Sequence, residues 1–385
     1  MKITDIRTIR LRAPIPTESQ VRSRTGVRSY RSALLVEVYT DAGITGIGSC
    51  SGNGAIIEVI IERVLKPLLI GMDPSKIEEL WEKSYFGAEV REFGSRGIGV
   101  VALSGVDTAL WDILGKVKNV PVFKLLGGAC REKVQVYATA LYPEEPTEVV
   151  KKALSFAENG FSGVKIKLGF DLAKDLEIVK AVRAELGRDF TLMTDANMGY
   201  EIEVALKAAA VLEECRVAWL EEPLFVEDIE GHALLKARSK VPIALGENLH
   251  TRFAFQEFIA RGAVDILQPD VARAGGISEI RNIATLAAGY DLPISFHTYG
   301  DAVALAASLH LAASLENSAV MELDCTCNPL RTELLKEPLE AQNGFMIPPQ
   351  GPGLGIDLNP QALRRYLFAG ADEVSLRQRA LRASE

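Results

Sequence analysis

The sequence has little of what marks several large classes of protein. Its 385 residues carry a net charge of −8, with 43 basic against 51 acidic side chains. A chain without a basic excess is not expected to bind nucleic acid or an anionic membrane as its main partner. No apolar run reaches about 18 residues, so no transmembrane helix is expected.

Cysteine is scarce and irregularly placed. The five cysteines are Cys50, Cys130, Cys215, Cys325 and Cys327, an odd and scattered set that fits reduced thiols better than a disulfide framework. The close pair Cys325 and Cys327 has no second Cys/His pair at zinc spacing, so we interpret it as structural. The first ten residues alternate like a β-strand and have no signal-peptide core. These features predict a cytoplasmic protein.

The chain nevertheless has enough apolar residues, 48%, to bury a large core. Its length allows two domains, or one large barrel with an addition. Residues 1–12 read as a strand, and residues 13–32 are polar and irregular. Two further strands, 32–40 and 44–50, are joined by a hairpin turn, and a mainly helical pattern follows to residue 126. Residues 1–127 are therefore predicted to form an α+β capping domain.

After Gly127 and Gly128, strand-like runs alternate with amphipathic helical patterns. Eight such runs begin at Val134, Gly163, Thr191, Val217, Ile243, Ile266, Pro293 and Ala319, at intervals of 23 to 29 residues. Units of that length predict a (β/α)8 barrel over residues 128–330, with its active site at the C-terminal ends of the strands. Residues 331–385 do not extend the repeat and are expected to return to the capping domain.

The alternative architecture is a doubly wound open sheet. We disfavour it because no glycine-rich dinucleotide fingerprint follows the first strand of the repeat. Gly275 and Gly276 could cradle a phosphate after the sixth strand, although a βα turn needs no ligand.

Three consecutive strands end in acid, at Asp195, Glu221 and Glu247, spaced 26 and 26 residues apart. A buried carboxylate is costly unless it is paired or bound to a cation, and hard cations such as Mg²⁺ take oxygen ligands. Each acid alone could cap a helix or form an ion pair. The equal spacing favours one metal site built from all three.

Other strand ends carry further ionisable residues. Lys165 and Lys167 share one face of the second strand, Asn197 follows Asp195, and the last three strands end near Asp270, His297 and Glu322. A cation could bind a substrate carboxylate and stabilise the enediolate formed as the α-proton leaves. Lys167, with a pKa lowered by Lys165 and the metal, could be the base on one side.

His297, oriented by Asp270, could serve as the acid or base on the opposite side. Singly, each of these residues has an ordinary structural interpretation, but jointly they make that interpretation improbable. His232, His250 and His310 are expected to be structural, and Glu222 to point away from the site as an ion-pair partner.

At these residues the chain resembles the enolase superfamily, in its mandelate racemase and muconate lactonizing enzyme subgroup. The matching positions are Lys165, Lys167, Asp195, Glu221, Glu247, Asp270, His297 and Glu322. The resemblance implies one Mg²⁺ per site, α-proton abstraction, and a modified barrel whose eighth helix is missing or altered. It also implies that Glu322 hydrogen-bonds the substrate carboxylate and that lid loops lie near residues 15–31 and 49–54.

The subgroup includes racemases, acid-sugar dehydratases and cycloisomerases of sugar-acid lactones. Residues 265–270, 322–331 and 337–344 are most similar to galactarolactone cycloisomerases and their relatives, whereas the neighbours of His297 depart from that pattern. Arg22 and Arg24, with Asn197, are the predicted substrate-binding residues. Together with Arg28, these arginines would suit a second substrate carboxylate, or equally could be solvated lid surface or subunit-interface contacts.

These observations predict a Mg²⁺-dependent acid-sugar dehydratase that acts on a small sugar-acid substrate. A cycloisomerase or racemase with the same Lys167 and His297 pair is the close alternative. A non-catalytic carboxylate- or metal-binding protein on this scaffold is the alternative from another class. The resemblance also implies a homo-oligomer.

Overall fold

The first part of the chain builds an antiparallel sheet. A computed structural model of the protein describes residues 1–23, 26–87 and 96–368. The strands in chain order are β1 (Ile3–Pro14), β2 (Val21–Ser23), β3 (Gly26–Arg28), β4 (Tyr30–Thr40) and β5 (Thr45–Cys50). β4 lies between β1 and β5, and β2 pairs with β3. The segment predicted to be irregular therefore contains a short hairpin, and its last residues already belong to β4.

Helices cover this sheet. They are α1 (Gly54–Ile60), a π-helical turn (Ile61–Leu65), α2 (Lys66–Leu69), α3 (Ile77–Phe86), α4 (Ile98–Lys118) and α5 (Val122–Leu125). Gly48 of β5 faces Gly105 of α4 so closely that a Cβ on Gly48 would collide with the Gly105 carbonyl. In the described part of the chain, α4 is the one helix long and apolar enough to cross a membrane, yet its most apolar window is 89% buried. Its composition is explained by its place in this core.

The second part of the chain is the barrel, whose parallel strands are short. They are β6 (Val134–Leu141), β7 (Gly163–Lys167), β8 (Thr191–Asp195), β9 (Leu220–Glu221), β10 (Ile243–Leu245), β11 (Ile266–Leu267) and β12 (Met321–Asp324). Their order is β11-β10-β9-β8-β7-β6-β12. The predicted seventh strand is reduced to one bridging residue, Ile294, which pairs with Leu267 on one side and Ser318 on the other. These bridges close the circle and confirm the predicted modified barrel.

One helix follows each strand position. They are α6 (Pro146–Glu158), α7 (Leu172–Leu186), α8 (Ile202–Glu214), α9 (Ile229–Arg238), α10 (Thr251–Ala260), α11 (Gly276–Ala288), α12 (Ala302–Ser314) and the four-residue α13 (Pro329–Thr332). The eighth helix is thus reduced to a single turn, as the resemblance implied. The space it leaves is next to the capping sheet, because α13 contacts β1 and β4.

The tail after α13 contacts both parts of the molecule. β13 (Phe345–Met346) pairs antiparallel with the start of β6, and Gly353 bridges Pro121 at the end of the cap. α14 (Pro360–Tyr366) packs on β1, and Leu367 bridges Leu11 of that strand. The expected return to the capping sheet is therefore present as far as Phe368, and residues 369–385 lie outside the described part.

The Gly275 and Gly276 turn is a docking point between barrel and cap. Trp81 Nε1 donates to the Gly275 carbonyl at 2.8 Å, and the amide of Ser278 donates to Asp107 Oδ2 at 2.9 Å. A Cβ on Gly276 would collide with the Asp107 carboxylate. The possible phosphate cradle was therefore a wrong interpretation, because side chains of the capping helices fill that turn.

Candidate active site

The three predicted metal ligands converge at the C-terminal ends of neighbouring strands. Asp195 ends β8 and pairs in register with Glu221, which ends β9, while Glu247 lies two residues after β10. One oxygen from each carboxylate lies within 4.8 Å of the other two. Three hard oxygen donors at this separation, with Asp195 and Glu221 buried and Glu247 half-buried, fit Mg²⁺, which keeps further coordination positions for water or substrate.

Lys165 stands behind this triad and is completely buried. Its Nζ lies 2.7 Å from Glu221 Oε1, 2.8 Å from Glu322 Oε1 and 3.6 Å from Asp195 Oδ2. A buried ammonium is tolerated when it is paired in this way. One buried ammonium thus contacts three carboxylates, two of which, Asp195 and Glu221, are predicted metal ligands.

Glu221 is the most constrained of the three ligands. Its Oε2 accepts hydrogen bonds from Gln268 Nε2 at 2.6 Å and from Trp219 Nε1 at 3.1 Å, while Oε1 faces Lys165. Burial and the neighbouring Asp195 raise the pKa of Glu221 to about 7. With Oε2 occupied by two donors and Oε1 facing Lys165, a lone pair of Oε1 remains available for a cation.

Lys167 lies at the front of the same strand, as the alternation predicted. Its Nζ contacts the Asp195 carboxylate and donates to Asn197 Oδ1 at 3.0 Å. Burial and Lys165 lower the pKa of Lys167, but Asp195, Glu247 and Glu221 outweigh them and the pKa lies above its ordinary value. This balance reflects the protein groups alone. The lowering of this pKa by Lys165 and the metal together stays a prediction.

His297 and Asp270 form the predicted pair. His297 Nδ1 is 2.7 Å from Asp270 Oδ2, and its Nε2 is 3.0 Å from Glu247 Oε2. Burial lowers the pKa of His297, but the carboxylates of Glu247 and Glu322 raise it well above the ordinary value. Asp270 Oδ1 also accepts the amide of Ala272 at 2.8 Å, so the residue both orients the imidazole and caps the following turn.

Glu322 is buried beside this pair. It accepts from Thr139 Oγ1 at 2.7 Å and from the Thr298 amide at 3.1 Å, and it pairs with Lys165. Burial raises the pKa of Glu322, but the charge of Lys165 outweighs it and brings the value down to about 2. The hydrogen bond from Glu322 to a substrate carboxylate stays a prediction.

The prediction that the Glu222 side chain points away from the site is wrong. Its backbone has φ of +37°, so the side chain turns toward the triad instead of following the strand alternation. Both carboxylate oxygens accept from Asn248 Nδ2, at 2.9 and 2.8 Å. Burial and the charge of Glu247 raise the pKa of Glu222 well above its ordinary value. The expected ion pair is replaced by an amide contact beside Glu247.

Two of the other histidines contact backbone groups. His232 Nδ1 pairs with the backbone carbonyl of Asp228 at 2.7 Å, and His310 contacts two backbone groups. These contacts agree with the structural role expected from the sequence. Burial lowers the pKa of His250 to about 4, and its structural role stays a prediction.

A cavity of about 400 Å³ opens at the boundary of cap and barrel, and Arg273 and Tyr299 are among its lining residues. Both predicted lid segments reach it, 15–31 through Arg28, Tyr30 and Arg31, and 49–54 through Ser51, Gly52 and Asn53. The side chain of Arg22 and the whole of Arg24 lie outside the described residues. Arg31, Arg273 and Tyr299 were not assigned to the site from sequence, although the cluster of arginines before β4 was the signal for Arg31.

Two family models match the chain. Residues 6–127 match the N-terminal domain of mandelate racemase and muconate lactonizing enzyme, and residues 148–362 match the enolase C-terminal domain-like model. The chain belongs to the enolase superfamily. Within it, the match to the first model places the chain with the mandelate racemase and muconate lactonizing enzyme family.

Members of this superfamily with named activities are similar over nearly the whole chain. D-galactarolactone cycloisomerase of Agrobacterium fabrum is 39% identical, over 95% of this chain and 99% of its own. Arabinonate dehydratase of Saccharolobus solfataricus is 37% identical, over 94% and 99%. A racemase of Streptomyces coelicolor with bound magnesium has a TM-score of 0.87 at 30% identity, covering 95% and 100%. The protein is therefore an enzyme of the lyase or isomerase type.

Proposed function

We propose that this enolase-superfamily member removes the α-proton of a sugar-acid carboxylate with the help of Mg²⁺, and that the reaction is dehydration. The observation that carries this proposal is the placement of two proton-transfer groups around one carboxylate triad. Lys167 lies against Asp195, and His297 lies against Glu247, the first and last ligands of the three consecutive strands. A substrate carbon held over the triad would have one such group on either side.

The residues divide the chemistry between them. When bound, the cation supplies Lewis-acid stabilisation of the charge that develops on the substrate carboxylate. Lys167 in its neutral form takes the α-proton. His297 as imidazolium donates its Nε2 proton to the departing β-hydroxyl, while Asp270 holds Nδ1 and stabilises the charged ring. Lys165 keeps Glu221 and Glu322 in place without touching the reacting atoms.

A second candidate reaction is the cycloisomerisation of a sugar-acid lactone, or racemisation. It is favoured by the 39% identity to a D-galactarolactone cycloisomerase, whereas the arabinonate dehydratase at 37% favours dehydration. Both reactions can use the same Lys167 and His297 pair. The non-catalytic alternative is disfavoured because both residues and all three carboxylates are in place and the relatives are enzymes.

The remaining proposals concern the setting of the enzyme. We propose that it acts on a small sugar acid, in the cytoplasm, as a homo-oligomer. All five cysteines are free, which suits a reducing compartment.

The test is incubation with Mg²⁺ in D₂O against mono- and diacid sugars and their lactones, followed by proton NMR and a 2-keto-acid assay. A 2-keto product with loss of the α-proton identifies dehydration. Deuterium incorporation without a keto product identifies racemisation or cycloisomerisation. Removal of Mg²⁺ by a chelator should stop both signals.

Variants connect this activity to the two bases. Lys167→Ala and His297→Asn should each lower turnover by roughly 10²- to 10⁴-fold, the usual contribution of a positioned acid or base. Lys151→Ala is the matched control, because that side chain is exposed on α6 and pairs with Glu148. Full activity in either base variant would contradict the assignment of the pair.

A further inference from the structure

The cavity between cap and barrel carries positive charge that the proposed proton transfers do not use. Three arginines line it, namely Arg28 and Arg31 from the cap and Arg273 from the barrel. Arg273 contacts the candidate active site, since its Nη1 donates to the Glu247 carbonyl at 3.1 Å and its Nε is 3.6 Å from Asp270 Oδ2. Arg28 and Arg31 make no such contact with the triad.

Arg31 is 4% exposed and holds a fixed position at the cavity wall. Its Nη2 pairs with Asp324 Oδ2 at 2.9 Å and also contacts Thr326, and its Nε donates to the Cys327 carbonyl at 3.3 Å. Its Nη1 is buried and has no hydrogen-bond partner within the described residues. A buried donor without a partner is costly, so its presence in a cavity wall indicates a group that arrives with a ligand.

Arg28 gives the cavity its net positive charge. Its guanidinium lies over the Tyr299 ring at 5.4 Å, and its side chain is exposed to the cavity mouth. No carboxylate lies within 4 Å of it in the described ranges 1–23, 26–87 and 96–368. Asp301, which lines the cavity, is already engaged, because it accepts from Ser49 and from the amides of Val303 and Ala304. Asp324 is buried and pairs with Arg31.

Tyr299 connects the arginines with the reacting end of the site. Its ring centroid lies 4.4 Å from the Arg31 guanidinium, 5.9 Å from Lys167 Nζ and 6.5 Å from the His297 ring. Its hydroxyl is fixed by the Tyr142 hydroxyl at 2.6 Å. The Tyr299 ring therefore lies between the proposed bases and the arginines. The distance across this ring is of the order of the length of a sugar-acid chain.

We propose that this cavity binds a second carboxylate at the far end of the substrate, so that the substrate is a sugar diacid or its lactone. The inference rests on the proposed function and adds the substrate class to it. Arg28 attracts the distal carboxylate, and Arg31 Nη1 donates a hydrogen bond to it. A carboxylate suits the site better than a phosphate dianion, because Asp301 lines the same cavity and Asp324 already offsets the charge of Arg31.

The test measures binding without turnover. Adipate and 6-hydroxyhexanoate have the same chain length and differ only in the distal carboxylate, and neither has a β-hydroxyl to lose. Binding of each to the full-length protein with Mg²⁺ is measured by titration calorimetry. Adipate should bind roughly tenfold more tightly, the value of a hydrogen bond to a charged group.

The variant Arg28→Gln removes the charge at an exposed position, so it should fold. It should bring the two affinities to within about twofold of each other by weakening adipate alone. The matched control is Arg7→Gln on β1, whose side chain is 63% exposed and pairs with Asp5 away from the cavity. Equal binding of the two acids by the unmodified protein, failure of both to bind, or equal losses for both in Arg28→Gln, would overturn the proposal.

A separate readout keeps this inference apart from the proposed function. The D₂O exchange assay is run on galactarate and galactonate, a diacid and a monoacid with the same carbon skeleton. If galactonate gives exchange or a keto product as efficiently as galactarate, the proposed function is supported. The proposed diacid subsite is then contradicted. If adipate binds more tightly but no acid undergoes exchange, the proposed subsite is supported and the proposed reaction is contradicted.

Discussion

Asp270 accepts two hydrogen bonds, one from the Ala272 amide through Oδ1 and one from His297 Nδ1 through Oδ2. In Asp270→Asn, the carbonyl oxygen can keep the Ala272 contact, and the amide NH₂ then faces Nδ1. The imidazole must take the other tautomer and loses the carboxylate that stabilises its charged form. We expect the His297-dependent step to fall by roughly 10³-fold, as for other acid–base pairs broken in this way.

The check on this prediction is stereochemical. α-Proton exchange in D₂O is compared for the two epimers of a sugar acid, one presenting its proton to each base. Exchange by Lys167 should persist in Asp270→Asn while exchange by His297 is lost. Asp291→Asn is the control, because Asp291 is exposed and has φ of +55°, a left-handed conformation that asparagine also adopts. Equal losses for both epimers would mean that Asp270 supports the whole site instead of His297.

The position of the candidate site residues could be predicted from sequence where they follow strand alternation. Lys165, Lys167, Asp195 and Glu221 lie at the ends of parallel strands, whose C-terminal edge is where a barrel collects its active site. Glu222 could not, because its positive φ reverses the direction that alternation predicts. Nor could Arg31, whose contact with Cys327 joins residues 296 positions apart and depends on how the cap docks.

At the scale of elements, the start of α11 docks on α4 through the Gly276 turn. Gly276 has φ of +82°, and a Cβ there would meet the Asp107 carboxylate. Gly276→Ala therefore combines two costs, a strained backbone and a collision. Gly262→Ala isolates the first cost, because Gly262 has φ of +62° and nothing within 4 Å of an added Cβ.

We expect Gly262→Ala to lower the free energy of unfolding by about 1 kcal/mol and Gly276→Ala by about 3 kcal/mol or more. The measurement is urea denaturation of both variants beside the unmodified protein. Similar losses in the two variants would show that the close approach to Asp107 costs little. The difference between them measures how tightly the cap helix is held to the barrel.

Most elements could be predicted because their periodicity is local. Residues 172–186 carry a helical apolar period, and α7 spans Leu172–Leu186. The helical pattern predicted up to residue 126 is interrupted by the π-helical turn Ile61–Leu65, next to Pro67, which has no N–H to donate to the preceding turn. The seventh strand shrank to Ile294 because a strand is defined by hydrogen bonds to neighbours, which periodicity in one segment does not contain.

At the scale of the whole molecule, three distant parts of the chain meet at His310. It lies on α12 of the barrel, its Nδ1 accepts the Phe123 amide of the cap at 3.3 Å, and its Nε2 lies 3.1 Å from the Leu354 carbonyl of the tail. Both contacts are satisfied only by the neutral ring, with Nε2–H as donor. Protonation would place a second N–H against the Phe123 amide.

Burial lowers the pKa of His310 to about 4 in the folded protein, whereas an unfolded chain has an ordinary value of about 6.5. Between these two values the unfolded chain binds the extra proton and the folded protein does not. The stability that neutral His310 contributes is therefore fully present above about pH 6.5, and it is lost as the pH falls toward 4. At pH 5 the loss from this residue is about 2 kcal/mol.

His310→Gln keeps an acceptor and a donor but cannot titrate, so it should lose less stability than the unmodified protein on going from pH 8 to pH 5. Urea denaturation at both pH values measures this difference, and the offset at pH 8 accounts for any packing defect. His250 also has a pKa of about 4 and remains in both proteins, so its contribution cancels. Parallel losses would mean that His310 does not couple protonation to the joint of cap, barrel and tail. A smaller loss in the variant would mean that protonation of His310 accounts for part of the stability that the protein loses in acid.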